Sequence, residues 1–364
     1  MKEPTRFMRR AITIAGNARG RANPNPTVAA IVVKNGQIVG EGVTSPVGGL
    51  HAEINALKQA GDSARKAEMY VTLEPCSFHG RTPPCCEAIV TAGIAKVYCA
   101  LRDPDKRVSG KGIKYLRQNG VEVAIGLLKE CAKDLHVAYM THRKKGRPHF
   151  LLKLAQSLDG QIATDSGDSR WITGIPARRH VHRWRSYVDA VIIGTNTLNL
   201  DNPQLTVRHV RGRNPRPIVI DGRFNSNPEA SLFTRPGTIL ATGKNTSKSK
   251  RHSVTDKGTE VWTFPTNNGV IDLYDFAQRA GEKEIVSAIV EGGQQLATSF
   301  LKAQLIDDLH IYQAPRILGK GISGIGELDI KLVTESLKLS KVSLRRLGTD
   351  ILYSAKVDYP CLPA

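Results

Sequence analysis

The chain has 364 residues, 40% of them hydrophobic and 23% charged, and a formal net charge of +19 at pH 7. That length supports two domains of ordinary size, and the composition excludes a disordered or fibrous chain. No apolar run reaches the length of a membrane span and Met1-Lys2-Glu3-Pro4 opens no secretory pattern, so a cytoplasmic protein without a membrane partner is expected.

Residues 6–18 place Phe7, Ala11, Ile14, Ala15 and Ala18 at helical spacing. Asn23-Pro24-Asn25-Pro26 ends that helix in a rigid polar loop. Val28–Lys34 and Gln37–Gly42 flank Asn35-Gly36, a hairpin signal. A helix over Glu53–Ala60 stops at Gly61 with His51 at its start, and Met69–Leu73 is an apolar strand leading into Glu74-Pro75-Cys76. Cys85–Ala92 is the next helix, then strand Lys96–Ala100, helix Gly112–Asn119 and strand Val121–Ile125. A single helix is expected over Lys129–Arg143. Strands alternating with helices predict a three-layer α/β/α domain over residues 1–146.

The basic, glycine-containing segment 143–148 marks the boundary, and residues 147–364 form a second α/β domain. Its apolar strands are Phe150–Ala155, Ala190–Gly194, Pro217–Asp221, Thr238–Thr242 and Ile285–Glu291, with helices over Ala177–Tyr187 and Gln294–Ala303. Asp307–Ala314, Leu337–Leu347 and Asp350–Val357 are late, partly antiparallel strands. The polar tract 243–258 is expected to be a loop. Basic runs such as Arg143-Lys144-Lys145-Gly146-Arg147 and Lys248-Ser249-Lys250-Arg251 suit a solvated surface, so the charge does not by itself require nucleic acid.

Chemistry concentrates at His51-Ala52-Glu53, Cys76 and, after eight intervening residues, Cys85. Three protein ligands and an open position suit a zinc ion that acts on water, and His51, Cys76 and Cys85 are the candidate ligands. Glu53, two residues after the histidine, is placed to move that water's proton, as in zinc deaminases. A structural zinc closed by Cys86 or His79 is the rival, and Cys86 also competes with Cys85. Glu53 has no task in a structural site, so one catalytic Zn2+ per chain is preferred, with Cys86 facing the core. Cys99, Cys131 and Cys361 are ordinary thiols.

Pro24-Asn25-Pro26, His51-Ala52-Glu53 and Glu74-Pro75-Cys76 through Pro83-Pro84-Cys85 resemble the deaminase half of the bifunctional riboflavin-biosynthesis deaminase/reductases. The second half is similar through Lys153, Ser157-Leu158-Asp159-Gly160, Trp171-Ile172-Thr173, Asp201-Asn202-Pro203, Leu205-Thr206-Val207-Arg208, Glu291-Gly292-Gly293 and Ala314-Pro315. The resemblance covers nearly the whole chain. It implies a cytidine-deaminase-like domain followed by a dihydrofolate-reductase-like domain that uses NADPH, and a phosphoribosyl pyrimidine as the small-molecule substrate. It also implies that Asn23, His79 and Arg81 line the first pocket. In the second, it implies NADPH contacts at Ala155, Trp171, Thr197, Asp201 and the run Gly293, Gln294, Gln295, Leu296, Ala297, Thr298 and Ser299. Substrate contacts are implied at Ser169, Arg185, Leu205, Arg208 and Glu291, with Lys153 a further polar group beside the sugar.

Gly292-Gly293 before a helix lets backbone N–H groups approach a phosphate, and Arg185 and Arg208 are suited to grip one bidentately. The usual dinucleotide G-x-G-x-x-G is absent. Leu50, Ala29 and Phe78 depart from the family pattern and bear on substrate positioning alone. Two other readings compete, a nucleic-acid base deaminase with an appended binding domain and a zinc-stabilised RNA-binding protein. The wide cysteine gap and only 5% aromatic residues argue against both, so no nucleic-acid partner is expected. A homo-oligomer is expected.

Overall fold

The structure is a computed structural model that describes residues 3–78 and 83–359. The chain forms two compact units, Met1–Gly146 and Arg147–Ala364.

The first unit contains α1 (Glu3–Asn17), β1 (Ala29–Lys34), β2 (Gln37–Val43), α2 (Ala52–Ala60), β3 (Glu68–Val71), α3 (Cys85–Thr91), β4 (Lys96–Cys99), α4 (Lys111–Gln118), β5 (Glu122–Ile125), α5 (Lys129–Leu135) and α6 (Val137–Lys145). The strands form one sheet in the order β2-β1-β3-β4-β5. β1 pairs antiparallel with β2 and β3, whereas β3, β4 and β5 run parallel. The hairpin turns at Asn35 and Gly36, whose φ values of 51° and 73° are those a two-residue turn of matching twist requires. Ala29 to Val33 are all buried, so both faces of the sheet are covered, giving the three layers. The expected single helix over Lys129–Arg143 is instead two, separated at His136 (φ −100°, ψ 12°). The interruption lets the buried His136 ring reach Thr72 Oγ1 at 3.1 Å.

The second unit is built on a nine-stranded sheet. Its strands are β6 (His149–Gln156), β8 (Ala190–Gly194), β9 (Arg216–Asp221), β10 (Ile239–Gly243), β11 (Glu260–Phe264), β14 (Ser287–Val290), β15 (Ile306–Gln313), β17 (Lys338–Leu347) and β18 (Asp350–Asp358). Two-stranded ribbons pair β7 (Gln161–Thr164) with β16 (Gly321–Ser323) and β12 (Thr266–Asn267) with β13 (Val270–Ile271). The sheet order is β11-β10-β9-β8-β14-β6-β15-β18-β17, parallel as far as β15 and antiparallel beyond it. Alternate residues enter different cores: Ile192, Ile218 and Ile239 join one cluster, and Val191, Val219 and Leu240 another. Both faces are therefore covered, by α7 (Ile175–Tyr187), α8 (Thr195–Asp201), α9 (Lys248–Thr255), α10 (Leu273–Glu282) and α11 (Gln294–Lys302). The tract expected to be a loop contains α9, started by Ser247, whose hydroxyl accepts from the Lys250 N–H, and anchored by buried Val254. Among the described residues no helix is long and apolar enough to cross a membrane.

Candidate active sites

In the first unit the site stands where α2 and α3 begin. His51 is the N-cap of α2 and Cys85 the first residue of α3. The strand against which α2 packs is shaped by glycine. A Cβ on Gly42 would collide with the Ala52 carbonyl and the Ala56 nitrogen, and one on Gly40 with the Ala56 carbonyl. β2 and α2 can thus approach to backbone contact. Asn55 then ties the helix to the strand end, donating from Nδ2 to the Val43 carbonyl at 2.8 Å and to Ser45 Oγ at 3.1 Å.

His51 Nδ1 lies 3.2 Å from Cys85 Sγ and 3.6 Å from Cys76 Sγ. All three candidate ligand atoms fall within 4.8 Å of one another. A tetrahedral zinc with bonds of 2.0–2.3 Å separates its ligand atoms by about 3.6–3.8 Å, so the donor set and spacing fit that ion. The Cys85 N–H donates to Cys76 Sγ at 3.3 Å. The Cys85 thiol and the His51 ring also bond to Cys76, and together these contacts pull the Cys76 thiol well below its usual range, against the effect of burial. Cys86 instead packs in the core. Glu53, 4% exposed, sits among the three, and burial pushes its carboxyl up to about 7. Asn23 is half-buried in the loop after α1; His79 and Arg81 lie outside the described residues.

Glu74 has a part that its place beside Cys76 does not reveal. Its carboxylate accepts from the backbone N–H groups of Asp103 (3.2 Å), Gly110 (3.0 Å) and Ile113 (3.3 Å). These donors include the N-cap and first turn of α4, which favour an anion. The Cys76 loop is thereby tied to α4, and Gly112 lacks the Cβ that would strike the Pro75 carbonyl. No spacing rule in the sequence signals bonds across 29 to 39 residues.

In the second unit a cavity of about 970 Å³ opens at the carboxyl ends of β6, β8 and β14, the usual ligand position in parallel sheets. It brings together Lys153, Ala155, Ser169, Trp171, Arg185, Thr197, Asp201, Leu205, Arg208, Glu291, Gly293, Gln294, Gln295, Leu296 and Ser299. Ala297 and Thr298 do not line it. The helical turn carries Ala297 into the core, and Thr298 accepts from the Gly326 N–H.

At the floor, Arg185 donates to both Glu291 oxygens, from Nε at 2.7 Å and from its terminal nitrogen at 2.8 Å. The fork expected to grip a phosphate is therefore spent on Glu291. Lys153 Nζ lies 4.0 Å from the same carboxylate. Burial opposes ionisation of Glu291, but Arg185 and then Lys153 overcome it and hold the carboxyl at about 2. For Lys153 burial wins over Glu291, and its ammonium is easier to deprotonate than usual. Arg208 is exposed in the wall, with 3.4 Å to Gln204 Oε1 as its guanidinium contact. Trp171 is 59% exposed and lies under the Arg178 guanidinium at 4.2 Å. Asp201 pairs with Arg170 at 3.2 Å. α11 begins at Gly293 with no side-chain cap, so its first N–H groups are open to a phosphate.

Residues 1–101 match the cytidine and deoxycytidylate deaminase zinc-binding region, and residues 148–353 match the RibD C-terminal domain. The riboflavin biosynthesis protein RibD of Aquifex aeolicus is 40% identical over 349 residues, covering 95% of this chain and 96% of that one. The Escherichia coli RibD is 36% identical over 360 residues, 95% and 97% of the two chains. Among solved structures, Acinetobacter baumannii RibD superposes with a TM-score of 0.89 at 33% identity, covering 98% of this chain and 99% of that one. A diaminohydroxyphosphoribosylaminopyrimidine deaminase/5-amino-6-(5-phosphoribosylamino)uracil reductase from Thermotoga maritima gives 0.83 at 32% identity with the same coverage. With both halves matched and relatives aligned from end to end, the chain belongs to the RibD family of bifunctional, zinc- and NADPH-dependent riboflavin-biosynthesis enzymes.

Proposed function

We propose that the two sites carry successive reactions on one phosphoribosyl pyrimidine. In residues 1–146 the 2-amino group of 2,5-diamino-6-(5-phosphoribosylamino)pyrimidin-4(3H)-one is hydrolysed to release ammonia. In residues 147–364 the ribosyl chain of that product is reduced to give 5-amino-6-(5-phosphoribitylamino)uracil. The observation that carries the reading is the convergence of one imidazole and two thiols on a single point beside a buried carboxylate, Glu53.

His51, Cys76 and Cys85 would hold zinc, which supplies the Lewis acidity that makes water a nucleophile at neutral pH. Glu53 takes the proton from that water and returns it to the leaving amine, and Asn23, His79 and Arg81 orient the ring. In the second site NADPH supplies the hydride when bound. Gly293, Gln294, Gln295, Leu296 and Ser299 offer a helix start to its phosphates, with Ala155, Trp171, Thr197 and Asp201 lining the same cavity. Arg208 and Ser169 take the substrate phosphate, Leu205 supports it, and Lys153 and Glu291 face the opened sugar. Arg185 holds Glu291 ionised.

A homo-oligomer remains part of the reading. β17 is a ten-residue edge strand with Leu339, Val342 and Leu344 exposed, a surface that a second chain would protect. The free thiols Cys76, Cys85, Cys86, Cys99 and Cys131 and the use of NADPH suit the cytoplasm.

Purified protein given the diaminopyrimidine substrate is expected to release ammonia first and oxidise NADPH second, with RNA competing poorly. Ammonia release with no NADPH oxidation would sink the assignment of residues 147–364. Glu53→Gln is expected to retain zinc and reduction while deamination falls at least about 10²–10⁴-fold. Loss of zinc from that variant would make Glu53 a ligand instead.

A further inference from the structure

α7 presents His182 and Arg185 three residues apart, on neighbouring positions of one helix face. Against them lies Gln204–Arg208, a segment without regular secondary structure whose main chain is gripped by side chains almost residue by residue. Arg235 donates to the Gln204 carbonyl at 2.7 Å and Arg185 to the Thr206 carbonyl at 3.2 Å. The Val207 N–H donates to Asn214 Oδ1 at 2.7 Å, and the Arg208 N–H donates to His182 Nδ1 at 3.1 Å. Leu205, buried between these holds, sits at φ 49°, in the left-handed region that a non-glycine residue keeps only when its surroundings impose it. The segment is an arm clamped at its backbone, and Arg208, at its end, lines the cavity.

We infer that His182 is a positioning residue for substrate binding in the reductase site, its ring nitrogen fixing the backbone from which Arg208 reaches the substrate phosphate. This rests on the assignment of Arg208 to the substrate phosphate proposed above. The bond specifies a ring with Nδ1 bare and the proton on Nε2, because only an unprotonated nitrogen accepts. His182 is 5% exposed, and burial lowers its pKa to about 4, so that form persists at neutral pH. The His209 ring stands edge-on to it, with ring centroids 4.7 Å apart. A histidine that merely filled space would need no acceptor at this nitrogen. Here, losing the acceptor leaves the Arg208 N–H unpaired beside a buried group, and the arm would shift to find another partner.

The test uses the full chain and the reductase step alone, with 5-amino-6-(5-phosphoribosylamino)uracil as the varied substrate. Arg208→Ala should raise KM for it. His182→Leu, which keeps volume without an acceptor, should raise the same KM about tenfold, with kcat and the KM for NADPH changed less than about twofold. His182→Asn, whose Oδ1 stands where Nδ1 does, should stay within about twofold of the parent. In the double variant His182→Leu/Arg208→Ala the KM should be no higher than with Arg208→Ala alone. A normal KM in His182→Leu, a His182→Asn as impaired as His182→Leu, or multiplying effects in the double variant would each overturn the inference while leaving the Arg208 assignment standing. A normal KM in Arg208→Ala would remove that assignment and the inference with it.

Discussion

Gly42 and Ala52 are in backbone contact, with no room for even a methyl group between the strand and the helix capped by His51. Gly42→Ala is therefore expected to displace the start of α2. Overpacking of this kind costs about 1–3 kcal/mol, and here the displaced residue adjoins His51. Zinc content per chain should fall and thermal unfolding of the first unit should come earlier, with NADPH oxidation on pre-deaminated substrate unaffected. Metal analysis beside a melting curve decides it; full zinc occupancy at normal stability would show that the contact is slack.

Glu74 plays the corresponding part for Cys76. Glu74→Ala would leave the N–H groups of Asp103, Gly110 and Ile113 without their acceptor and release the loop from α4. Groups that orient metal ligands are worth about 10–100-fold in metal affinity. A competition titration with a chelator should show a loss of that size, and the KM for NADPH should not move.

Arg185 and Glu291 form a buried ion pair, their side chains 13% and 6% exposed. Removing one partner of such a pair costs about 3–5 kcal/mol because the other charge is stranded. Glu291→Ala should therefore destabilise the second unit by that order, and Glu291→Ala combined with Arg185→Met should recover part of the loss. Urea denaturation of the parent and the two variants provides the comparison. Equal losses in the single and double variants would mean that the pair is not coupled.

Acid should weaken the second unit well before its carboxylates titrate. Burial holds His180, His182 and His310 at about 4, so all three are neutral in the folded chain at pH values where an unfolded histidine is protonated. The unfolded state then binds more protons, and stability falls as pH falls from about 6.5 towards 4, by up to about 1.4 kcal/mol per pH unit for each group. Glu291 adds a separate, lower window: its carboxyl is depressed to about 2, so its contribution is intact above about 4.5 and disappears as pH falls through 2. Denaturation midpoints of the second unit at pH 7.5, 5.5 and 4.5 should decline steadily. In the first unit the loss from His136, held at about 3, is opposed by Glu53 and Asp103, whose carboxyls burial raises to about 7 and about 6; replacing His136 with Gln should make that unit gain stability as pH falls over the same range.

Local chemistry was easy to recognise in the sequence, and long-range support was not. Asn35-Gly36 announces its turn because two adjacent residues must accept positive φ, and the hairpin register follows with Lys34 opposite Gln37. His51, Cys76 and Cys85 announce a metal because few other uses suit that set. The helix break at His136 leaves no mark, since the partner its ring reaches, Thr72, is 64 residues away. α9 was hidden because Val254 is its buried residue and a polar helix has no apolar stripe to detect. The same limit applies at the reductase cavity. Arg185 looked free for phosphate because its partner Glu291 lies 106 residues further on.

The strand order of the second unit bears on how the chain is made. β6 emerges from synthesis directly after the first unit, yet it pairs with β14 and β15, whose residues begin at Ser287 and Ile306. The middle of the nine-stranded sheet must wait for some of its last strands, and pairings of such separation are slow to form. The first unit's sheet closes entirely within residues 29–125. On the ribosome the deaminase half can be complete while the apolar strand Phe150–Leu154 is still unpaired, which makes that strand the point where chaperone capture or aggregation would act.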